Sequence, residues 1–128
     1  MSNTNNNIKT LLIVDDSRVS RMMIKTYMDF KCPDWVVHEA NNSETALQLA
    51  DLITPDFCTI DINMPGMLGT EAAEILLEKF PGIRIAIFSG NIQDQEQSRA
   101  AQLGAVFISK PVTETSVGQA LRHFDPSI

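Results

Sequence analysis

Cysteine, glycine, proline and basic residues are all sparse in this chain, and each shortage removes a class of protein. Only two cysteines occur in 128 residues, Cys32 and Cys58. They form no C-x-x-C pair and have no His-rich neighbourhood, so neither a zinc site nor a disulfide scaffold is indicated, and both thiols are expected to be buried in a reducing compartment. Six glycines and six prolines are too few for a collagen-like or low-complexity chain. Ten Lys and Arg against sixteen Asp and Glu leave a net charge of −6. A field of that sign repels phosphate backbones and anionic lipid, so direct binding to nucleic acid or to a membrane surface is disfavoured. No apolar run approaches the roughly 20 residues of a membrane span. The opening MSNTNNN has no apolar segment of the kind a signal peptide carries, and a cytoplasmic protein is expected.

What remains is a composition that folds alone. Apolar residues make up 44%, and a chain of this size builds one domain around one sizeable core. Residues 1–7 read as a frayed tail and 8–128 as the domain. Short apolar runs recur at Leu11–Val14, Trp35–Val37, Phe57–Ile60, Ile83–Phe88 and Ala105–Ile108. Several are near-continuous, the pattern of strands covered on both faces, and the stretches between them are long enough for crossover helices. In the first such stretch Val19, Met22, Met23, Met28 and Phe30 predict the apolar stripe, beside an exposed Arg18, Arg21 and Lys25. Ser43 is placed to cap a second helix bearing Ala46, Leu47, Ala50 and Ile53, and Ile75, Leu76 and Phe80 mark the inward side of a third, stopped by Pro81-Gly82. A polar fourth helix from about Gln93 to Leu103 ends at Gly104, and Val117, Leu121 and Phe124 give the fifth its stripe. Five βα units with right-handed crossovers make a doubly wound α/β sheet, whose ligands sit beyond the carboxyl ends of the strands.

Polar residues gather at those ends. Asp15 and Asp16 follow the first strand, and their mutual repulsion calls for a counter-ion; the alternative is helix capping by Asp16 or Ser17. Asp61 ends the third strand, ahead of Ile62-Asn63-Met64-Pro65-Gly66, where a turn residue is the alternative. Central strands lie about 4.8 Å apart, so acids at neighbouring ends can share one small hard cation, and oxygen-only ligands suit Mg²⁺. The fourth strand ends in Phe88-Ser89-Gly90-Asn91 and the fifth in Ser109-Lys110-Pro111. Taken singly, Ser89 reads as a turn donor and Lys110 as a solvated cation. Three carboxylates, a hydroxyl and an ammonium at four strand ends of one sheet are the parts that phosphoryl transfer needs.

In the order and spacing of Asp15-Asp16, Asp61 with Asn63-Met64-Pro65-Gly66, Ser89 and Lys110-Pro111, the chain resembles a bacterial two-component response-regulator receiver domain of the single-domain, CheY-like kind, over about residues 8 to 124. The resemblance implies a flavodoxin-like, five-stranded parallel sheet of order 2-1-3-4-5 with five helices. It implies that Asp61 is the phosphoryl acceptor, taking the group from a histidine kinase or histidine phosphotransfer protein. Asp16, Asp61 and the Asn63 backbone carbonyl would hold Mg²⁺, with Asp15 acting through metal-bound water, and Lys110 would offset charge from the other side. Lys110-Pro111 would be a cis peptide. Ser89 would be drawn to the phosphoryl group, and Phe107 would swing inward as the second switch residue, changing the face made by the fourth helix, fifth strand and fifth helix. Many relatives have Tyr where Phe107 stands, so here the two states differ only in packing, and core filling is the alternative. The strip of Arg18, Arg21 and Lys25 reads either as a dock for an acidic donor protein or as a solvated helix face.

The resulting expectation is a stand-alone response regulator, monomeric or weakly dimeric, that transforms no free metabolite and signals in trans to a protein target. Two other readings are a Mg²⁺-dependent phosphohydrolase and a receiver-shaped module that is never phosphorylated. Asp61-Ile62-Asn63-Met64 lacks the second Asp and following Thr of haloacid-dehalogenase-like enzymes, and the intact acid set argues against the unphosphorylated module.

Overall fold

A computed structural model describes residues 8–90 and 93–128. The 1–7 tail and Asn91 lie outside the described residues. Ten elements alternate: β1 Thr10–Val14, α1 Arg18–Lys31, β2 Val36–Ala40, α2 Ser43–Ile53, β3 Phe57–Asp61, α3 Gly69–Lys79, β4 Arg84–Ser89, α4 Asp94–Gln102, β5 Val106–Ser109 and α5 Glu114–Phe124. All four strand pairings are parallel, and the order is β2-β1-β3-β4-β5, the doubly wound arrangement expected.

Strand alternation sends successive side chains to opposite faces, and each face has its own core. Leu12, Val14, Cys58, Ile60, Ile85 and Ile87 pack with α2 and α3 residues such as Ala46, Ala50, Ala72 and Leu76. Leu11, Ile13, Phe57, Ala86, Phe88 and Ile108 pack with Ile24 and Met28 of α1 and Val117, Leu121 and Phe124 of α5. Phe57 stacks on Phe124, with ring centroids 4.8 Å apart. Every residue of β3 is buried, which fits its central place and its near-continuous apolar run. Both cysteines are buried, and burial pushes the Cys58 thiol above its ordinary range.

Four local expectations need correction. The second strand is Val36–Ala40, reaching past Val37 through His38 and Glu39, because β2 is an edge strand laddered only to β1, from Thr10↔Val36 to Val14↔Ala40, and tolerates polar residues. In α1 the buried residues are Ile24 and Met28, whereas Val19, Met22 and Phe30 are exposed, Phe30 by 80%. The helix carries two apolar stripes, and it is rotated so that Arg21 reaches the Asp15 carbonyl at 2.7 Å and Glu39 at 3.1 Å. The α2 cap is Asn42, whose side-chain oxygen accepts from Thr45 N at 2.7 Å; Ser43 is the first helical residue and is buried. The inward side of α3 is Ala72, Ala73 and Leu76, with Ile75 only half-buried. Phe80 follows as the C-cap, and Gly104, at φ +76°, follows α4 as expected.

Candidate functional site

The sheet brings four of the predicted side chains to one place. Asp15 and Asp61 leave adjacent strands β1 and β3, since Val14 pairs with Ile60, and a carboxylate oxygen from each of Asp15, Asp16 and Asp61 lies within 4.8 Å of the others. Lys110, just past β5, comes from two strands away. Its ammonium stands 2.8 Å from Asp15 Oδ2 and 3.8 Å from Asp61 Oδ1. Asp15 is 1% exposed and Asp61 7%, while Asp16 is exposed, so the cluster has a buried floor and an open side.

Its charge is unbalanced. Burial pushes the Asp61 carboxyl up to about 6; Lys110 and the Ile62 amide oppose this, and the nearby Asp15 and Asp16 add to it. Asp15 Oδ1 accepts from Ser17 N at 2.9 Å. Its Oδ2 forms an ion pair with Lys110 at 2.8 Å but accepts no hydrogen bond among the described residues. Capping of α1 falls to Ser17, whose hydroxyl accepts from Ser20 N at 3.2 Å, which leaves Asp16 uncommitted to that role. A trio of oxygen donors with one ammonium, and a buried carboxylate oxygen still lacking a hydrogen bond, fits a small hard dication of the Mg²⁺ class.

The remaining predicted residues are ordered around this cluster. Asp61 pairs with Phe88, so Ser89 stands one residue beyond it at the end of β4, fully buried. Ser89 O accepts from Lys110 N at 3.0 Å, joining the β4 and β5 ends. Ile87 pairs with Phe107 and Ser89 with Ser109. Ser89 and Phe107 therefore point to the same face of the sheet as diagonal neighbours, and Phe107 is half-buried against the α2–α3 core. The Lys110–Pro111 bond is cis, as the resemblance implied. Asn63 is exposed in the loop between β3 and α3. The basic strip is largely engaged: Arg21 bonds to Glu39 and the Asp15 carbonyl, and Lys25 pairs with Asp29 at 2.7 Å. Only Arg18 of the three is exposed.

Two contributors escaped the sequence reading. A Cβ at Gly69 would lie 2.0 Å from the Asp61 carbonyl oxygen, so only glycine lets α3 start against the backbone at the end of β3. Glu44 accepts from Met67 N at 3.2 Å and so reaches from α2 into the same loop. Neither contact has a signal in the chain, because each joins segments distant in sequence or depends on a close backbone approach.

Comparison with known proteins agrees with this geometry. The family model of the response regulator receiver domain matches residues 11–122. The chemotaxis protein CheY of Listeria monocytogenes is 38% identical over 115 residues, covering 87% of this chain and 93% of that protein. The nitrate/nitrite response regulator protein NarL of Escherichia coli is 35% identical over 96 residues, 75% of this chain and 44% of that protein. The chain thus spans about half the length of relatives such as NarL and nearly the whole of CheY. Among solved structures, the response regulator domain of Thermotoga maritima CheB superposes with a TM-score of 0.77 at 30% identity, over 94% of this chain and 96% of that one. Vibrio cholerae CheY4, at 21% identity, shares the fold with a TM-score of 0.80, over 92% and 99%. The chain belongs to the response regulator receiver domain family and is CheY-like in fold. Among the described residues no helix is long and apolar enough to cross a membrane.

Proposed function

We propose that this receiver domain is a phosphorylatable switch in which Asp61 accepts a phosphoryl group from a phosphohistidine of a histidine kinase or phosphotransfer protein. The observation that carries the reading is the convergence of Asp15, Asp16, Asp61 and Lys110. An Asp61 carboxylate oxygen attacks phosphorus in line, the bond to the donor's imidazole nitrogen breaks, and that nitrogen keeps the electron pair. Asp16, Asp61 and the Asn63 carbonyl would hold Mg²⁺, with Asp15 acting through a coordinated water. When bound, that ion would supply positive charge that offsets the charge of the phosphoryl group. Lys110 supplies the second positive charge from the β5 side and steadies the buried Asp15.

Phosphorylation turns one negative charge on Asp61 into about two and adds three acceptor oxygens. Ser89 donates to one of them, and its diagonal neighbour Phe107 repacks, biasing the face built by α4, β5 and α5. A protein partner reads that face in trans, in the cytoplasm. The domain transforms no free metabolite, works as a monomer or weak dimer, and at net charge −6 does not itself bind nucleic acid or a membrane.

The test is labelling by a phosphorylated donor protein with and without chelator. Label on the wild type that excess EDTA prevents and Mg²⁺ restores is expected. Label that persists in EDTA would overturn the metal's part.

A further inference from the structure

We propose that Ser43 and Glu44 are positioning residues for the phosphoryl-accepting site: together they clamp Met67 and hold the 62–68 loop, which carries Asn63, in the shape that cation binding needs. The inference rests on the reading of the site given above.

The loop leaves β3 directly after Asp61, and its ends are tied internally: Met64 N and Gly69 N both donate to Ile62 O, at 3.2 and 3.0 Å. Its middle is held from outside, by the first turn of α2. Ser43 Oγ, 0% exposed, donates to Met67 O at 2.9 Å, and Glu44 Oε2 accepts from Met67 N at 3.2 Å. One residue's carbonyl and amide are thus gripped by two successive side chains of another element. Gly66, at φ +84°, makes room for the grip, since a Cβ there would stand 3.0 Å from Glu44 Oε2. Glu44 is an exposed residue, and its carboxylate still reaches the loop at Met67 N. It shares a recess of about 630 Å³ with Asp16, Pro65 and Gly66, which places the clamp next to the acidic cluster. A glycine-containing loop freed from these two bonds samples many more backbone states, and ordering it again falls on the binding step. The clamp meets that cost during folding.

The test uses the full chain, with Mg²⁺ affinity read from amide NMR shifts during MgCl₂ titration and the clamp read from hydrogen exchange at Met67. Glu44→Ala and Ser43→Ala should each raise the half-saturating Mg²⁺ concentration by between about twofold and tenfold, the range that one net hydrogen bond supports. Glu44→Ala should also speed exchange of the Met67 amide. Glu44→Gln keeps an acceptor for Met67 while removing the charge, so it should stay within about twofold of the wild type and keep the amide protected. A Gln variant as weak as the Ala variant would show that charge near Asp16 is responsible and would overturn the clamp, as would wild-type affinity in Glu44→Ala and Ser43→Ala. A wild type that binds no Mg²⁺ would instead overturn the reading of the site, and this inference with it.

Discussion

Asp61 is a carboxylate buried where an anion is unwelcome, and that tension is measurable. Its pKa of about 6, raised chiefly by burial, lies above the ordinary value of the unfolded chain. The native state therefore holds the proton more tightly, and the ionised group weakens folding progressively as pH rises from about 4 to 6, by about 2 to 3 kcal/mol in full. Asp61→Asn should accordingly melt higher than the wild type at pH 7 in Mg²⁺-free buffer, with the gain vanishing near pH 4. Adding Mg²⁺ should stabilise the wild type and not the variant. Thermal melts across that pH range check both statements, and an Asn variant less stable at pH 7 would contradict them. Lys110→Ala should leave the buried Asp15 without its cation and lower stability by up to about 3 kcal/mol; it should slow modification of Asp61 without abolishing it, while partner affinity no longer responds. The aspartates and Lys110 were legible in the chain because each stands at or just past the carboxyl end of a strand. Gly69 was not, since its role depends on an Asp61 carbonyl that a Cβ would meet at 2.0 Å. Gly69→Ala should cost about 2 kcal/mol or more and distort the loop, which urea unfolding would detect.

At the level of elements, the chain announces its central strands and misleads about its first helix. Strands β1, β3 and β4 are covered on both faces and read as near-continuous apolar runs, whereas the edge strand β2 carries His38 and Glu39 and extends beyond its apolar part. On α1 two apolar stripes compete, and periodicity alone cannot rank them. The choice is made by packing of Ile24 and Met28 onto β1 and α5 neighbours and by Arg21 reaching back to Asp15. Met28→Ala should therefore cost about 2 to 5 kcal/mol, while Phe30→Ser should change stability by no more than about 0.5 kcal/mol. Equal losses in chemical denaturation would show that the helix is rotated otherwise. The same logic of faces supports a coupling between Ser89 and Phe107, which share one side of adjacent strands. Ser89→Ala should leave phosphorylation intact and reduce the change in partner affinity that follows it, measured with unmodified and beryllofluoride-treated protein.

For the molecule as a whole, a parallel sheet of this order turns five separate strand ends into one edge, and the chemistry follows from what stands there. The acids were readable from the sequence because the fold class assigns strand ends a common side; the helix and loop contacts that hold them were not, because they join residues far apart in the chain, as Glu44 and Met67 do. The central claim is that the Asp15, Asp16, Asp61 and Lys110 cluster makes Asp61 able to receive a phosphoryl group. Intact mass after incubation with Mg²⁺ and a small phosphoryl donor tests it most directly. A single adduct of about 80 Da is expected on the wild type and none on Asp61→Ala. No adduct on the wild type, or one that survives in the Asp61→Ala protein, would contradict it.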